Sequence, residues 1–158
     1  MFDVDGRDLL TLGRVCSLKQ DYPAALRSFQ EALQFLASEG GMAVHPQFLS
    51  HYGASLAAVA GRLEEGRKFC ERSIQLEPYE AEHYLNLCLV HEMSGNRGAA
   101  FGALDRGLGL HPGHPRLLAQ KRKLDRRLLL PIPLLSRDHP LNRCLGSILK
   151  TVKACTRK

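Results

Sequence analysis

The chain of 158 residues contains no tryptophan, and aromatic residues make up only 6% of the sequence. It also lacks a long hydrophobic run, because the longest, at residues 128–135, is broken by Pro131 and Pro133 and is far shorter than a membrane span. The first ten residues are acidic and contain no basic segment followed by an apolar stretch, so they do not indicate a secretion signal. We therefore expect one modest domain with a core, outside any membrane.

The five cysteines lack the arrangements that indicate a metal site or a disulfide framework. There is no CxxC pair and no cysteine–histidine spacing of the zinc-finger type. Cys88 and His91 have the i, i+3 spacing that can join two metal ligands, but no third ligand is placed by spacing, so we expect no metal site. Irregularly spaced thiols of odd number favour a reducing compartment, and we expect the protein to be cytoplasmic.

Motifs for catalysis are also missing. No nucleophile is accompanied by a base and an orienting acid, and no two carboxylates are placed to share a pocket. The glycine-containing segment at residues 38–44 has no following GK[ST] motif, so it is not a phosphate-binding loop. We expect no catalytic residue and no cofactor.

The net charge of +6 is unevenly distributed along the chain. Residues 1–115 hold 10 Lys and Arg against 14 Asp and Glu, a net charge of −4, whereas residues 116–158 hold 12 against 2, a net charge of +10. The basic character therefore belongs to the C-terminal segment alone. Such a segment favours an acidic partner, an anionic surface or the acidic body of the same chain.

The sequence repeats itself with a period of 34 residues. Four positions recur after one period: Gly66, Cys70, Ser73 and Pro78 return as Ala100, Leu104, Gly107 and Pro112. Four others recur after 75 residues: Leu9, Leu12, Gly13 and Cys16 return as Tyr84, Leu87, Cys88 and His91. Because 75 residues are two periods plus seven, seven extra residues must lie between Ala32 and Gly66. Internal repeats of this length are typical of helical solenoids.

These residues resemble the tetratricopeptide-repeat family over residues 7–112. The shared pattern is Leu followed by a small residue, a small-residue turn, Ala-x-x-x-aromatic or Leu, and a closing Pro, with the middle unit degenerate. The resemblance implies an all-α right-handed solenoid of three helix pairs, in units of about 6–39, 46–79 and 81–114. A capping helix is expected at 115–130, followed by a basic linker and an amphipathic C-terminal helix within 131–158.

Turn and cap residues give the expected helix bounds. We predict helices at about 7–19, 23–38, 46–60, 63–77, 81–94, 97–110, 115–130 and 140–155. Three cysteines, Cys16, Cys70 and Cys88, fall at slots where small residues let neighbouring helices approach closely. We expect them to react slowly with thiol reagents, and Cys144 and Cys155 to react faster.

In the family, the first helix of each unit lines a concave groove that holds peptides, so the resemblance implies a non-catalytic scaffold or adaptor that binds a protein or peptide. Helical spacing places eight candidate contact residues there: Leu10, Arg14, Leu18, Glu82, Leu85, Leu89, Glu92 and Met93. Further exposed positions are expected among Arg7, His51, Ser55, Ala58 and Val59. The alternative, that the leucines of this set are core residues, stays open.

Some family members grip a terminal carboxylate with Lys, Asn and Arg in this groove. The present chain has Leu10 and Arg14 at the first-unit positions and Glu82 and Asn86 at the third-unit positions. An acidic residue there repels a carboxylate, so we predict no carboxylate clamp. An apolar or helical ligand fits the leucines better.

The C-terminal segment has an amphipathic pattern of its own. Five apolar residues fall on one helical face: Leu141, Leu145, Ile148, Leu149 and Val152. We predict that this face docks on the concave surface of its own or a neighbouring copy, which allows self-association. Attachment to a membrane surface or to nucleic acid is the alternative, although residues 116–158 contain no Phe, Tyr or Trp to stack on bases.

Overall fold

The computed structural model describes residues 6–38 and 45–126, which form helices and connecting turns without a strand. The helices are α1 (Gly6–Leu18), α2 (Tyr22–Ser38), α3 (Pro46–Ala60), α4 (Leu63–Leu76), α5 (Ala81–Met93), α6 (Arg97–Leu110) and α7 (Pro115–Arg126). Their bounds agree with the predicted ones to within one residue, except that the described part of α7 ends at residue 126. The all-α prediction is therefore confirmed, and the helix predicted at 140–155 lies outside the described residues.

Local chemistry explains where the helices begin and end. Asp21 Oδ1 accepts a hydrogen bond from the Ala24 amide (3.2 Å) at the start of α2, and Asn96 Oδ1 accepts one from the Ala99 amide (3.1 Å) at the start of α6. Such caps satisfy amides that have no partner within the helix. Gly61 follows α3 with φ +65°, a left-handed conformation that glycine adopts without strain and that stops the helix.

The helices pack in successive pairs, α1 with α2, α3 with α4, and α5 with α6. Each pair also contacts the next, because α2 touches α3, α4 touches α5, and the first helices α1, α3 and α5 touch in sequence. Residues 6–121 belong to one structural unit, and the described part of a second unit is limited to residues 122–126. None of the described helices is long and apolar enough to cross a bilayer.

Small residues set the distance between paired helices. A Cβ atom added to Gly53 of α3 would lie 2.6 Å from the carbonyl oxygen of Gly66 in α4, and one added to Gly66 would lie 2.5 Å from the carbonyl oxygen of Gly53. In α1, a Cβ added to Gly13 would lie 2.8 Å from the ring of Phe29. The repeated small positions therefore bring backbones into direct contact, as ridge-and-groove packing of a repeat requires.

The cysteines of the described ranges differ in burial, and this gives a first testable expectation. Cys70 and Cys88 are fully buried free thiols, whereas Cys16 is only half-buried. Burial raises the pKa of the Cys70 thiol, which further suppresses the reactive thiolate. We expect Cys70 and Cys88 to react at least about tenfold more slowly than Cys16 in the native protein, because they react only through local opening.

Peptide mapping of the alkylated protein by mass spectrometry gives the rate at each thiol. Unfolding in urea should make the three rates similar. Equal native rates at Cys70 and Cys16 would contradict the packing described for α4.

Candidate functional site

The candidate site is the layer formed by α1, α3, α5 and residues 115–121 of α7, here called the first-helix layer. Polar contacts between residues about one repeat apart join its members. Ser17 Oγ of α1 lies 3.0 Å from His51 Nδ1 of α3, and the Glu82 carboxylate of α5 pairs with the Arg116 guanidinium of α7. Between them, Asn86 of α5 donates a hydrogen bond to Ser50 Oγ of α3 (3.1 Å). The layer is held together by polar as well as apolar contacts.

His51 is a buried polar residue of this layer, with 1% of its surface exposed. Its Nδ1 atom is bonded to Ser17, but its Nε2 atom is buried with no hydrogen-bond partner. Burial lowers the pKa of His51 to about 3, with the charges of Arg14, Arg116 and His83 acting in the same direction. The imidazole is therefore neutral at physiological pH. The Nε atom of Arg14 is likewise buried without a partner, so two polar atoms of the layer have unused hydrogen-bonding capacity.

A second polar chain runs from Ser50 to the surface. His83 Nδ1 lies 3.0 Å from Ser50 Oγ, and His83 Nε2 lies 3.3 Å from one carboxylate oxygen of Glu77. The other Glu77 oxygen lies 3.2 Å from Nε2 of the exposed His45. Desolvation lowers the pKa of His83, and the adjacent Glu77 carboxylate opposes that shift. This chain fixes the start of α3 to the turn between α4 and α5.

Two of the predicted groove residues, Glu82 and Glu92, already have partners on α7. The Glu82 carboxylate forms an ion pair with the Arg116 guanidinium and lies 3.9 Å from Nε2 of His114. The Glu92 carboxylate accepts a hydrogen bond from the side-chain amide of Gln120. Both carboxylates thus belong to the contact between α5 and α7, which reduces what they can offer to a ligand.

The prediction that Leu10, Glu82 and Leu85 are exposed was wrong, because all three side chains are buried. Leu10 packs in a core cluster with Phe29, and with the partly buried Phe48 and Tyr52. It therefore points toward α2 and α3. For these two leucines the alternative of a core role holds. Of the four second-unit positions among which exposure was expected, His51 and Ser55 are buried, whereas Ala58 and Val59 are exposed.

The other predicted groove residues keep some exposure. Arg14, Leu18 and Leu89 are half-buried, and Met93 is 37% exposed. Arg14 and Leu18 of α1 occupy the repeat positions that Leu89 and Met93 occupy in α5, 75 residues later. Among the predicted groove residues, these accessible ones therefore occupy equivalent positions of the first and third units. The face of the C-terminal segment, from Leu141 to Val152, lies outside the described residues.

Sequence reasoning did not single out Tyr22, the first residue of α2. Burial raises the pKa of its hydroxyl, while the charges of Arg116 and Glu92 act on it in opposite directions. A usable signal existed for the other missed contacts, because Ser17–His51 and Glu82–Arg116 are each 34 residues apart. In a stacked repeat, polar residues one period apart are neighbours.

No group of three or more His, Cys, Asp and Glu side chains within residues 6–38 and 45–126 is placed to hold a metal ion. The layer presents apolar side chains, arginine side chains and carboxylates that pair with groups of α7.

Comparison with known proteins identifies the fold. No family model and no curated protein matches the sequence. Among solved structures, the TPR domain of Arabidopsis OM64 is similar with a TM-score of 0.57 and 11% identity, over 77% of this chain and 95% of that one. YrrB, described as a TPR protein with an unusual peptide-binding site, is similar with a TM-score of 0.55 and 22% identity, over 75% of this chain. The match spans 57% of the YrrB chain. The helix pairs of this chain thus have the tetratricopeptide-repeat fold that its 34-residue period predicts.

Proposed function

We propose that the protein is a non-catalytic, cytoplasmic interaction scaffold that binds a peptide or helix of a partner protein on its first-helix layer. The observation that carries this proposal is the partial exposure of Leu18 and Met93 at equivalent positions of two units, with the half-buried Leu89 one turn from Met93. Repeat stacks present such equivalent positions to extended or helical ligands. The similar protein YrrB is described as peptide-binding, which agrees with this use of the fold.

The chemistry of the layer suggests a ligand with apolar anchors. Met93 is unbranched and adapts to different apolar partners. Leu89 lies one turn from Met93 on α5, and Leu18 occupies the equivalent repeat position on α1. Arg14, which is half-buried and one turn before Leu18 on α1, supplies hydrogen-bond donors beside Leu18. A helix that presents apolar residues three or four positions apart, with a hydrogen-bond acceptor nearby, would satisfy both features.

A carboxylate clamp is not part of the proposal. Leu10 occupies one clamp position and is a core residue, and Glu82 occupies another and is already paired with Arg116. A ligand carboxylate at that position would meet a negative charge. Recognition should therefore not depend on a free C-terminal carboxylate, so amidated and free forms of one peptide should bind with similar affinity.

Selection from a displayed peptide library, followed by fluorescence anisotropy with the selected peptide, tests the proposal. Met93→Ser should weaken binding by about tenfold or more, because it removes an anchor side chain. Leu110→Ser is the matched control, since Leu110 lies at the end of the second helix of the same unit and is similarly exposed, at 41% against 37%. Equal losses in both variants, or none in either, would contradict the proposed site.

A further inference from the structure

One stripe of α1 is exposed although the equivalent stripe of α5 is buried. The α1 stripe consists of Asp8, Thr11, Leu12 and Val15, and Lys19, the residue that follows the helix, continues it; all five side chains are exposed. Leu12 is 50% and Val15 is 38% exposed, whereas their counterparts 75 residues later, Leu87 and Val90, are each 1% exposed. The two helices therefore have equivalent faces, but within the described residues other helices cover this face on α5 and leave it exposed on α1.

The neighbours of α5 explain the difference. In the described residues α5 contacts α3 and α4 of the preceding unit, and Ser50 of α3 bonds to His83 and Asn86 at the positions equivalent to Asp8 and Thr11. By contrast, among the helices that the structure describes, α1 contacts α2 and α3, which follow it in the chain. Within the described residues its stripe is a repeat interface against which no other helix pair is packed. An unfilled face of this kind in a solenoid needs a cap or a partner.

The order of residues along the stripe makes it complementary to itself. A second α1 placed antiparallel about a two-fold axis brings Leu12 against Val15 of the other copy, and Asp8 against Lys19 of the other copy. Both charged residues are exposed at the two ends of the seam. The Thr11 hydroxyl already donates to the Arg7 carbonyl (3.0 Å), so its polar group is satisfied within the helix. Two-fold contacts pair one patch with itself, and this patch fits that requirement.

We propose that two copies of this chain associate through this stripe as an antiparallel α1–α1 pair. The proposal does not depend on peptide binding by the first-helix layer. The helix of 13 residues gives an interface smaller than that of a standard stable complex. The dimer should therefore be weak and reversible, with a dissociation constant on the order of 10–100 μM.

Sedimentation velocity on the full chain, from about 5 to 200 μM, tests this proposal. The wild type should shift from monomer to dimer across this range. Leu12→Ser should leave it monomeric, whereas Leu76→Ser, at a similarly exposed position on α4 (46% against 50%), should not change the dissociation constant. Circular dichroism of each variant checks that the helices are intact.

Exchanging the charges of Asp8 and Lys19 is the more specific test, because it probes the antiparallel pairing of these two residues directly. Lys19→Glu should raise the dissociation constant about tenfold, since two attractive pairs become repulsive. Adding Asp8→Lys to that variant should restore association to within about threefold of the wild type. A monomer at every concentration, a dimer that Lys19→Glu leaves unchanged, or growth beyond the dimer by head-to-tail stacking would overturn the proposal.

Discussion

Lowering the pH from 7.5 to 4.5 should reduce the free energy of unfolding by about 3 kcal/mol through His51 alone. The pKa of His51 falls from 6.5 to about 3 on folding, chiefly because the ring is buried and also because Arg14, Arg116 and His83 act on it. A group whose pKa is lower in the folded state binds fewer protons there. The contribution of the neutral His51 side chain to the free energy of unfolding is complete above pH 6.5 and is lost progressively as the pH falls toward 3. The pKa values of His83 and His91 are also lowered, which adds to the loss.

Urea unfolding followed by circular dichroism at several pH values measures this effect. His51→Asn keeps a polar atom near Ser17 Oγ but cannot be protonated in this range, so the variant should lose about 3 kcal/mol less between pH 7.5 and 4.5. For each protein, the free energy of unfolding at pH 7.5 is the reference for its value at pH 4.5. If wild type and variant showed the same dependence on pH, the buried neutral imidazole would not be the source.

Gly53→Ala should destabilise the fold by about 3 kcal/mol and lower the midpoint of thermal unfolding by about 10 °C. The new methyl group would lie 2.6 Å from the Gly66 carbonyl oxygen and 2.8 Å from the Phe69 Cβ, so α3 and α4 must separate. Gly66→Ala meets the Gly53 carbonyl oxygen in the same way and should have a similar effect. A backbone atom cannot move aside as a flexible side chain can.

Gly102→Ala is the matched control for these substitutions. Gly102 is an exposed residue inside α6, and an added Cβ there would meet nothing within 4 Å. Because alanine favours helix more than glycine does, this variant should gain roughly 0.5–1 kcal/mol. A Gly→Ala substitution should thus lower the free energy of unfolding at Gly53 and raise it at Gly102. A neutral Gly53→Ala would mean that the two backbones are not in direct contact.

The helices of the described ranges could be predicted because their boundaries depend on local chemistry. Asp21 and Asn96 cap the helices that follow them, and Pro78 and Pro112 stand just after the helices that they end. The 34-residue period then gave the pairing of helices, since repeats stack on their sequence neighbours. None of this required knowledge of contacts distant in the chain.

The exposed residues of the site were harder to predict, because a helix turns by about 100° per residue and burial depends on every neighbouring helix. Leu10 was assigned to the groove, but it packs against Phe29. Leu12 and Leu87 share one repeat position, yet one is exposed and the other is buried. The repeat pattern cannot distinguish them, since the difference arises from which of the described helices pack against each copy of the repeat.

The central claim, that the protein binds a partner peptide at the accessible part of the first-helix layer, is most directly tested by a methionine-methyl NMR titration. The chain contains three methionines, Met1, Met42 and Met93, so each methyl signal can be assigned by a single substitution. Adding a selected peptide should move the Met93 signal along a saturating curve whose midpoint equals the dissociation constant from anisotropy. A Met93 signal that stays in place while the peptide is fully bound would contradict the account.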